Sequence, residues 1–285
     1  MRLLSAISII LFLSSIKASK IEFDRYTIDD GLSQNTVYKV FQDSRGYMWL
    51  GTQGGLDRFN GYDFKHYEHE SNDSTSIVDG WIRAINEDKD GLLWLGTVGG
   101  NLGWFDPYDE IGGEIDLYSN YPDFKRPNHI YDILFHGDYI FLTTIGSGLC
   151  RYNRTDGSTL WYSADSTAKH YIADRVITDI FSISENEILF GDRSVIVLNT
   201  ETNKFSEPYN GLIEEQLGIP FDSIKVSSIA LADDGNLFVG TWSDHGLIII
   251  NPNDKKISQH FPLPPDPSTG KVPRTMVGEI AIDRS

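Results

Sequence analysis

The sequence predicts an all-β fold, a β-propeller of four-stranded antiparallel blades with about five complete blades, and three observations carry that prediction. First, a motif recurs: Trp49-Leu50-Gly51-Thr52, Trp94-Leu95-Gly96-Thr97, then the weaker copies Phe141-Leu142-Thr143-Thr144, Leu189-Phe190-Gly191-Asp192 and Phe238-Val239-Gly240-Thr241. Its third positions are 45, 47, 48 and 49 residues apart, the length of one blade. Second, apolar residues alternate with polar ones at the two-residue period of strands. Third, polar turns, most of them bearing glycine, punctuate every unit at the same place.

Within a unit the elements follow in order. The first strand is the alternating segment, as at 37–41 and 177–181. A polar turn follows at 43–46, 88–91, 135–138, 184–187 and 233–236, and the glycine present in all but 184–187 supplies the positive φ of a tight hairpin. The recurring motif is the second strand. Third strands open on glycine at 55–59, 103–105, 148–152 and 246–251, and more polar fourth strands close the unit, as at 63–67 and 256–261. Helix is nearly absent; residues 212–217 suffice for about one turn. The blades fall near 28–74, 75–124, 125–170, 171–222 and 223–268, with 269–285 starting another. Residues 21–27 have the composition of a fourth strand, which in a closed ring completes the last blade, while 276–285 read as a first strand and half a turn. The expectation is an incomplete ring, a fragment of a longer sequence that aggregates in isolation.

The 285 residues carry a net charge of −17, with 24 Lys and Arg against 41 Asp and Glu. That balance argues against nucleic acid and against an anionic membrane surface as partners. It suits a neutral, hydroxyl-rich or cationic ligand better. The one cysteine, Cys150, rules out an internal disulfide and a structural zinc site, and its apolar neighbours point to a buried, inert thiol. Met1, Arg2, the apolar run to Ile16 and the following Lys17-Ala18-Ser19 read as an export signal over residues 1–18, cleaved after Ala18; an uncleaved anchor is the alternative.

The string Asp30-Gly31-Leu32-Ser33-Gln34-Asn35-Thr36-Val37, followed by Gln42-Asp43-Ser44-Arg45-Gly46-Tyr47-Met48-Trp49-Leu50-Gly51-Thr52 and by Gly54-Gly55-Leu56-Asp57-Arg58-Phe59-Asn60-Gly61, resembles the two-component regulator propeller repeat. The second unit matches closely too. The third to fifth keep the strand pattern but replace Trp49 with Phe141, Leu189 or Phe238, and Gly51 with Thr143. The resemblance implies the periplasmic sensor region of a hybrid two-component sensor or a membrane-bound diguanylate cyclase. In such proteins two propellers of about seven blades precede a β-sandwich, a transmembrane helix and a cytoplasmic signalling domain. It further implies a homodimer in the full-length receptor, anchoring in the inner membrane through a C-terminal segment missing here, and no chemistry within the propeller.

Propellers bind ligands where loops converge near the central axis. Trp81 and Trp242 lie at strand ends, where an aromatic face beside polar groups suits a sugar ring. Asn35, Gln53, Arg83, Asn101, Asn128, Arg175, Asp244 and His245 occupy equivalent loop positions. These ten residues are the candidate ligand site, for an extracellular small molecule or oligosaccharide; turn-stabilising hydrogen bonding is the bland alternative for each polar one. No catalytic residue, metal site or cofactor is indicated. The turns at 88–91 and 233–236 lack the ligand series of a calcium loop. Asp43 stands six residues before Trp49, where the Asp-box of sialidases has five, and the seven histidines show no metal spacing. A secreted lyase or hydrolase and a protein-interaction scaffold are the other readings.

Overall fold

A computed structural model describes residues 24–121, 124–162, 176–191, 194–220, 224–241 and 245–264. They form five four-stranded antiparallel sheets, each a simple meander. Blade one is β1 (Val37–Gln42), β2 (Met48–Thr52), β3 (Gly55–Phe59) and β4 (Phe64–Tyr67). Blade two is β5 (Ile82–Glu87), β6 (Leu93–Thr97), β7 (Leu102–Asp106) and β8 (Ile111–Ile115). Blade three is β9 (His129–His136), β10 (Tyr139–Ile145), β11 (Leu149–Asn153) and β12 (Thr159–Tyr162). Blade four is β13 (Ile180–Ser184), β14 (Glu187–Gly191), β15 (Val195–Asn199) and β16 (Lys204–Ser206). Blade five is β17 (Val226–Leu231), β18 (Leu237–Thr241), β19 (Leu247–Asn251) and β20 (Lys256–Phe261). Among the described residues one α-helix, α1 (Asn210–Leu217), lies between blades four and five and buries Ile213. The export signal at 1–18 and the further blade at 269–285 lie outside the described residues.

Each letter of the recurring motif has a packing reason. Trp49 is fully buried in a cluster with Ile82, Leu95 and Phe105, so the second strand's aromatic cements blade one to blade two. Burial of side chains this large contributes about 1.5–3 kcal/mol each. The glycine is a close-approach position. A Cβ on Gly51 would lie 2.7 Å from the Ile82 carbonyl oxygen, and one on Gly96 would lie 2.5 Å from Ile130 Cγ2, so the next blade's first strand fits only against a bare backbone. The threonine fastens the following turn: Thr52 Oγ1 donates to the Gly55 carbonyl (3.1 Å), as Thr144 does to Gly148 (2.7 Å) and Thr241 to Gly246 (3.0 Å). First strands of neighbouring blades pack side by side, β1 on β5, β5 on β9 and β9 on β13, which makes them the inner wall; β4 and β20 are outer and largely exposed.

The first-hairpin turn explains the Asp that precedes Trp by six residues. Trp49 Nε1 donates to Asp43 Oδ2 (2.9 Å), while Asp43 Oδ1 accepts from the amides of Arg45 (3.0 Å) and Tyr47 (2.8 Å). Asp88 repeats this with Trp94 Nε1 (3.0 Å) and the amides of Asp90 and Leu92. The buried carboxylate is thereby satisfied, and the turn is tied to the core.

Several local expectations are corrected. Blade four's first strand is Ile180–Ser184 rather than 177–181, because the Ile177 amide is drawn to the Thr144 carbonyl of blade three (3.1 Å). The turns read at 135–138 and 184–187 shrink to two residues each, since His136, Ser184 and Glu187 join strands. In blade five Ala232, not Asp233, takes the place of Asp43: its amide donates to the Asn236 carbonyl (2.9 Å), as Asp43 does to Tyr47 (3.0 Å). Residues 24–27 pair with no strand. Thr27 caps a 3-10 turn, Ile28–Asp30, in a capping box with Asp30, and Tyr26 packs on Phe59 (5.0 Å) and Phe64 (5.8 Å) of blade one. Residues 21–23 are outside the described set.

Candidate functional site

Antiparallel alternation places the connections between blades and the turns between second and third strands at the same end of every blade. Of the ten candidate residues, all read as loop or strand-end positions, Asn35, Gln53, Trp81, Asn101, Asn128 and His245 lie in such connections, so these six belong to one face. On that face the Trp81 carbonyl accepts from the Val98 amide (3.0 Å), and the Asn128 carbonyl accepts from Gly99 (2.7 Å) while its amide donates to Ile145 (2.8 Å). The Gly99–Asn128 bond runs between the turn of blade two and the connection into blade three, while the other two close the inner ends of blades two and three themselves. Asn101 Oδ1 accepts from Arg126 (3.5 Å). Asn35 and Gln53 act locally: Asn35 Oδ1 accepts from the Ile28 amide (3.0 Å), and the Gln53 amide donates to Thr36 (3.2 Å). The His245 carbonyl accepts from His260 Nε2 (2.8 Å). Trp81 is exposed over 41% of its surface, whereas Trp49, Trp94 and Trp161 are buried. Arg175, Trp242 and Asp244 lie outside the described residues.

Arg83 requires a correction: it sits in β5, not in a loop. The pairing of β5 with β6 shifts between Ile82 and Ala84, which leaves Arg83 as an extra, bulged residue. The same shift isolates Tyr38 in β1, Tyr131 in β9 and Ser227 in β17. Three of these bulged side chains meet. The Arg83 guanidinium lies 5.1 Å from the Tyr38 ring centre and 4.5 Å from that of Tyr131, so it is sandwiched by residues of the blades on either side. Arg83 Nε is buried without a hydrogen-bond partner, and so is Nδ1 of nearby His129. Partial burial, then the charge of Arg83, holds the His129 imidazole below its ordinary pKa.

The residue after each bulge adds a second layer. Lys39 Nζ reaches Asp132 Oδ1 (3.9 Å) across the small side chain of Ala84. Asp179 Oδ2 accepts from the Ile229 amide (2.9 Å). Burial, reinforced by Asp132, pushes the Asp179 carboxyl up to about 7. Sequence reasoning passed over Tyr38, Tyr131, His129, Lys39, Asp132 and Asp179. Aligning the units on the third motif position puts Tyr38 and Arg83 in one column, thirteen residues before Gly51 and Gly96, but Tyr131 falls one residue off it, twelve before Thr143, because blade three has the shorter first-hairpin turn.

Beside this face, the connection into blade three folds into a cleft of about 340 Å³ lined by Asp116, Tyr118, Ser119, Tyr121, Phe124 and Arg126. Arg126 lies over the Tyr118 ring at 4.4 Å, and Phe124 lies 4.5 Å from Trp161. A more polar cleft of about 290 Å³ between blades three and four is lined by the opposite turns, among them Gly137, Asp138, Glu185 and Asn186. Cys150 is fully buried in β11, and burial pushes its thiol up, so it is unreactive. Among the described residues no group of three metal-ligating side chains forms, and no helix is long and apolar enough to cross a membrane.

Comparison with known proteins agrees with this architecture. The chain is 44% identical over 82 residues to histidine kinase P4 of Formosa agariphila, a match covering 27% of this chain and 6% of that protein. Over 82% of its length it superposes, at TM-score 0.65 and 20% identity, on 31% of the extracellular domain assigned to the hybrid two component system BT3049 of B. thetaiotaomicron. Virginiamycin B lyase of Staphylococcus aureus shares the fold at TM-score 0.58 and 15% identity, covering 81% of this chain and 71% of that one. The chain thus spans under a third of the hybrid-system domain and a small part of the kinase. Residues 31–54 and 76–99, in the first two blades, match the two component regulator propeller family, and the chain as a whole has the β-propeller fold.

Proposed function

We propose that this chain is the ligand-sensing propeller of an extracytoplasmic receptor, working in the periplasm and signalling to a kinase or diguanylate cyclase domain of the same receptor. The observation that carries the reading is that the two repeats matching the regulator propeller family are the blades that supply Asn35, Gln53, Trp81, Arg83 and Asn101 to one face. The 82-residue likeness to a histidine kinase supports the direction of signalling. The ligand class is carbohydrate: the exposed Trp81 indole offers a stacking face, and polar side chains surround the inner-strand ends. Binding acts by rearranging a homodimer, with no bond made or broken in the propeller and no cofactor.

Thermal-shift screening of the protein against neutral and acidic oligosaccharides tests this. A saccharide that raises the melting temperature in the wild type, and does so at least tenfold less effectively in Trp81→Ala, is the expected result. No response to any saccharide would leave a protein-interaction scaffold. The shared fold of virginiamycin B lyase gives the enzyme reading its support, and turnover of a screened saccharide would favour it.

A further inference from the structure

We propose that Arg83, clamped between Tyr38 and Tyr131, is the docking point for an oxyanion on the extracellular ligand, a carboxylate or a sulfate. The inference rests on the sensor reading and deepens it by naming the charged group the face selects.

A guanidinium has five donors in a rigid fork that matches a planar or tetrahedral oxyanion. The two rings hold the guanidinium of Arg83 between the first strands of blades one and three, and its N–H groups, which lie in its own plane, remain the direction in which bonds are made. Arg83 forms no ion pair among the described residues, and its Nε is buried with no acceptor. An unmet buried donor costs about 1–3 kcal/mol, more when charged, so a pure cation–π role leaves a penalty that an oxyanion removes. His129, two residues before Tyr131, brings a second unpartnered buried nitrogen close to Arg83. With its proton on Nδ1, it donates to the same group.

The other charges of the inner wall are already engaged. Asp132 is paired with Lys39, and Asp179 is bonded to the Ile229 amide. At the bulge column of blades four and five stand Thr178 and Ser227, and the Thr178 hydroxyl donates to the Ser227 carbonyl (3.2 Å). The cationic clamp is therefore confined to blades one to three. It reverses locally what the net charge of −17 suggests for the whole chain. Trp81, two residues before Arg83, leaves a ring face for the sugar that carries the anion.

The test is calorimetric titration of the protein with sodium glucuronate, glucose and sodium sulfate. Glucuronate, sulfate or both are expected to bind at least tenfold more tightly than glucose, to compete if both bind, and to weaken several-fold between 50 and 500 mM NaCl. Tighter glucuronate identifies a carboxylate source; tighter sulfate identifies a sulfate ester. Arg83→Gln is expected to weaken the anion at least tenfold while the unliganded protein melts within a few degrees of wild type. Equal binding of glucose and glucuronate, or undiminished binding by a folded Arg83→Gln variant, overturns the inference. Should that variant not fold, the charged-against-neutral pair and the salt dependence decide. Binding of neutral saccharides alone removes the oxyanion but leaves the sensor reading; failure of every saccharide in the wider screen removes the sensor reading itself.

Discussion

Blades one and two hold their first-hairpin turns by an indole–carboxylate bond, whereas blade five makes a turn of the same five-residue shape without it. Asp43 and Trp49, and Asp88 and Trp94, become Ala232 and Phe238. Acceptor and donor are lost together. Keeping only Asp would bury an unpaired carboxylate, and keeping only Trp would bury an orphan N–H. Blades three and four avoid the question by using two-residue turns. The repeat is thus conserved as interactions rather than as letters. The same division runs along the inner wall, where aromatic and cationic bulges in blades one to three face hydroxyl residues in blades four and five.

The largest effect that sharpens this contrast concerns the charge of blade four. The Asp179 carboxyl is raised from an ordinary 3.8 to about 7. Its protonated, folded form therefore contributes stability that is full below pH 4, declines as pH rises toward 7 and is lost above it. Asp179→Asn keeps an acceptor for the Ile229 amide and escapes the decline. It should match wild type at pH 4 and be more stable by the order of 4 kcal/mol at pH 9, read from melting curves across pH.

Next in size, Asp43→Ala leaves Trp49 Nε1 and two turn amides without their acceptor, and denaturant melts should show a loss of about 3 kcal/mol. Adding Trp49→Phe should recover part of that loss, because the pair then matches blade five. An Asp43→Ala cost unaffected by Trp49→Phe would break the account of paired loss.

The smallest concerns the motif glycine. Gly96→Ala forces a methyl group into Ile130, and also within 3.0 Å of Ala84 Cβ, at a cost of about 2 kcal/mol. Blade three already carries Thr143 at this position, its hydroxyl donating to the Thr178 carbonyl (3.4 Å), so Thr143→Ala should cost under about 1 kcal/mol.

The blades were legible in the sequence because strand alternation and a repeated inter-blade contact are local, periodic signals. Trp49, Gly51 and Thr52 could be placed from their spacing alone. What spacing does not encode is the hydrogen-bond register. Ala232 was misaligned by one residue because two aspartates follow it, and β13 began three residues late because Ile177 bonds to its neighbour blade. Arg83 was singled out but assigned to a loop, since a one-residue bulge leaves no mark in a two-residue alternation. Its tyrosine partners were missed because each comes from a different blade, and contacts across 45 residues or more are set by the packing of the first strands.

The most direct test of the central claim, that ligand recognition lies on one face of blades one to three, is hydrogen–deuterium exchange of the protein with and without a saccharide that raises its melting temperature. The account predicts slowed exchange in peptides covering 35–39, 81–84, 98–101 and 126–132. Protection confined to the opposite turns, 43–47, 60–63 and 88–92, would contradict it.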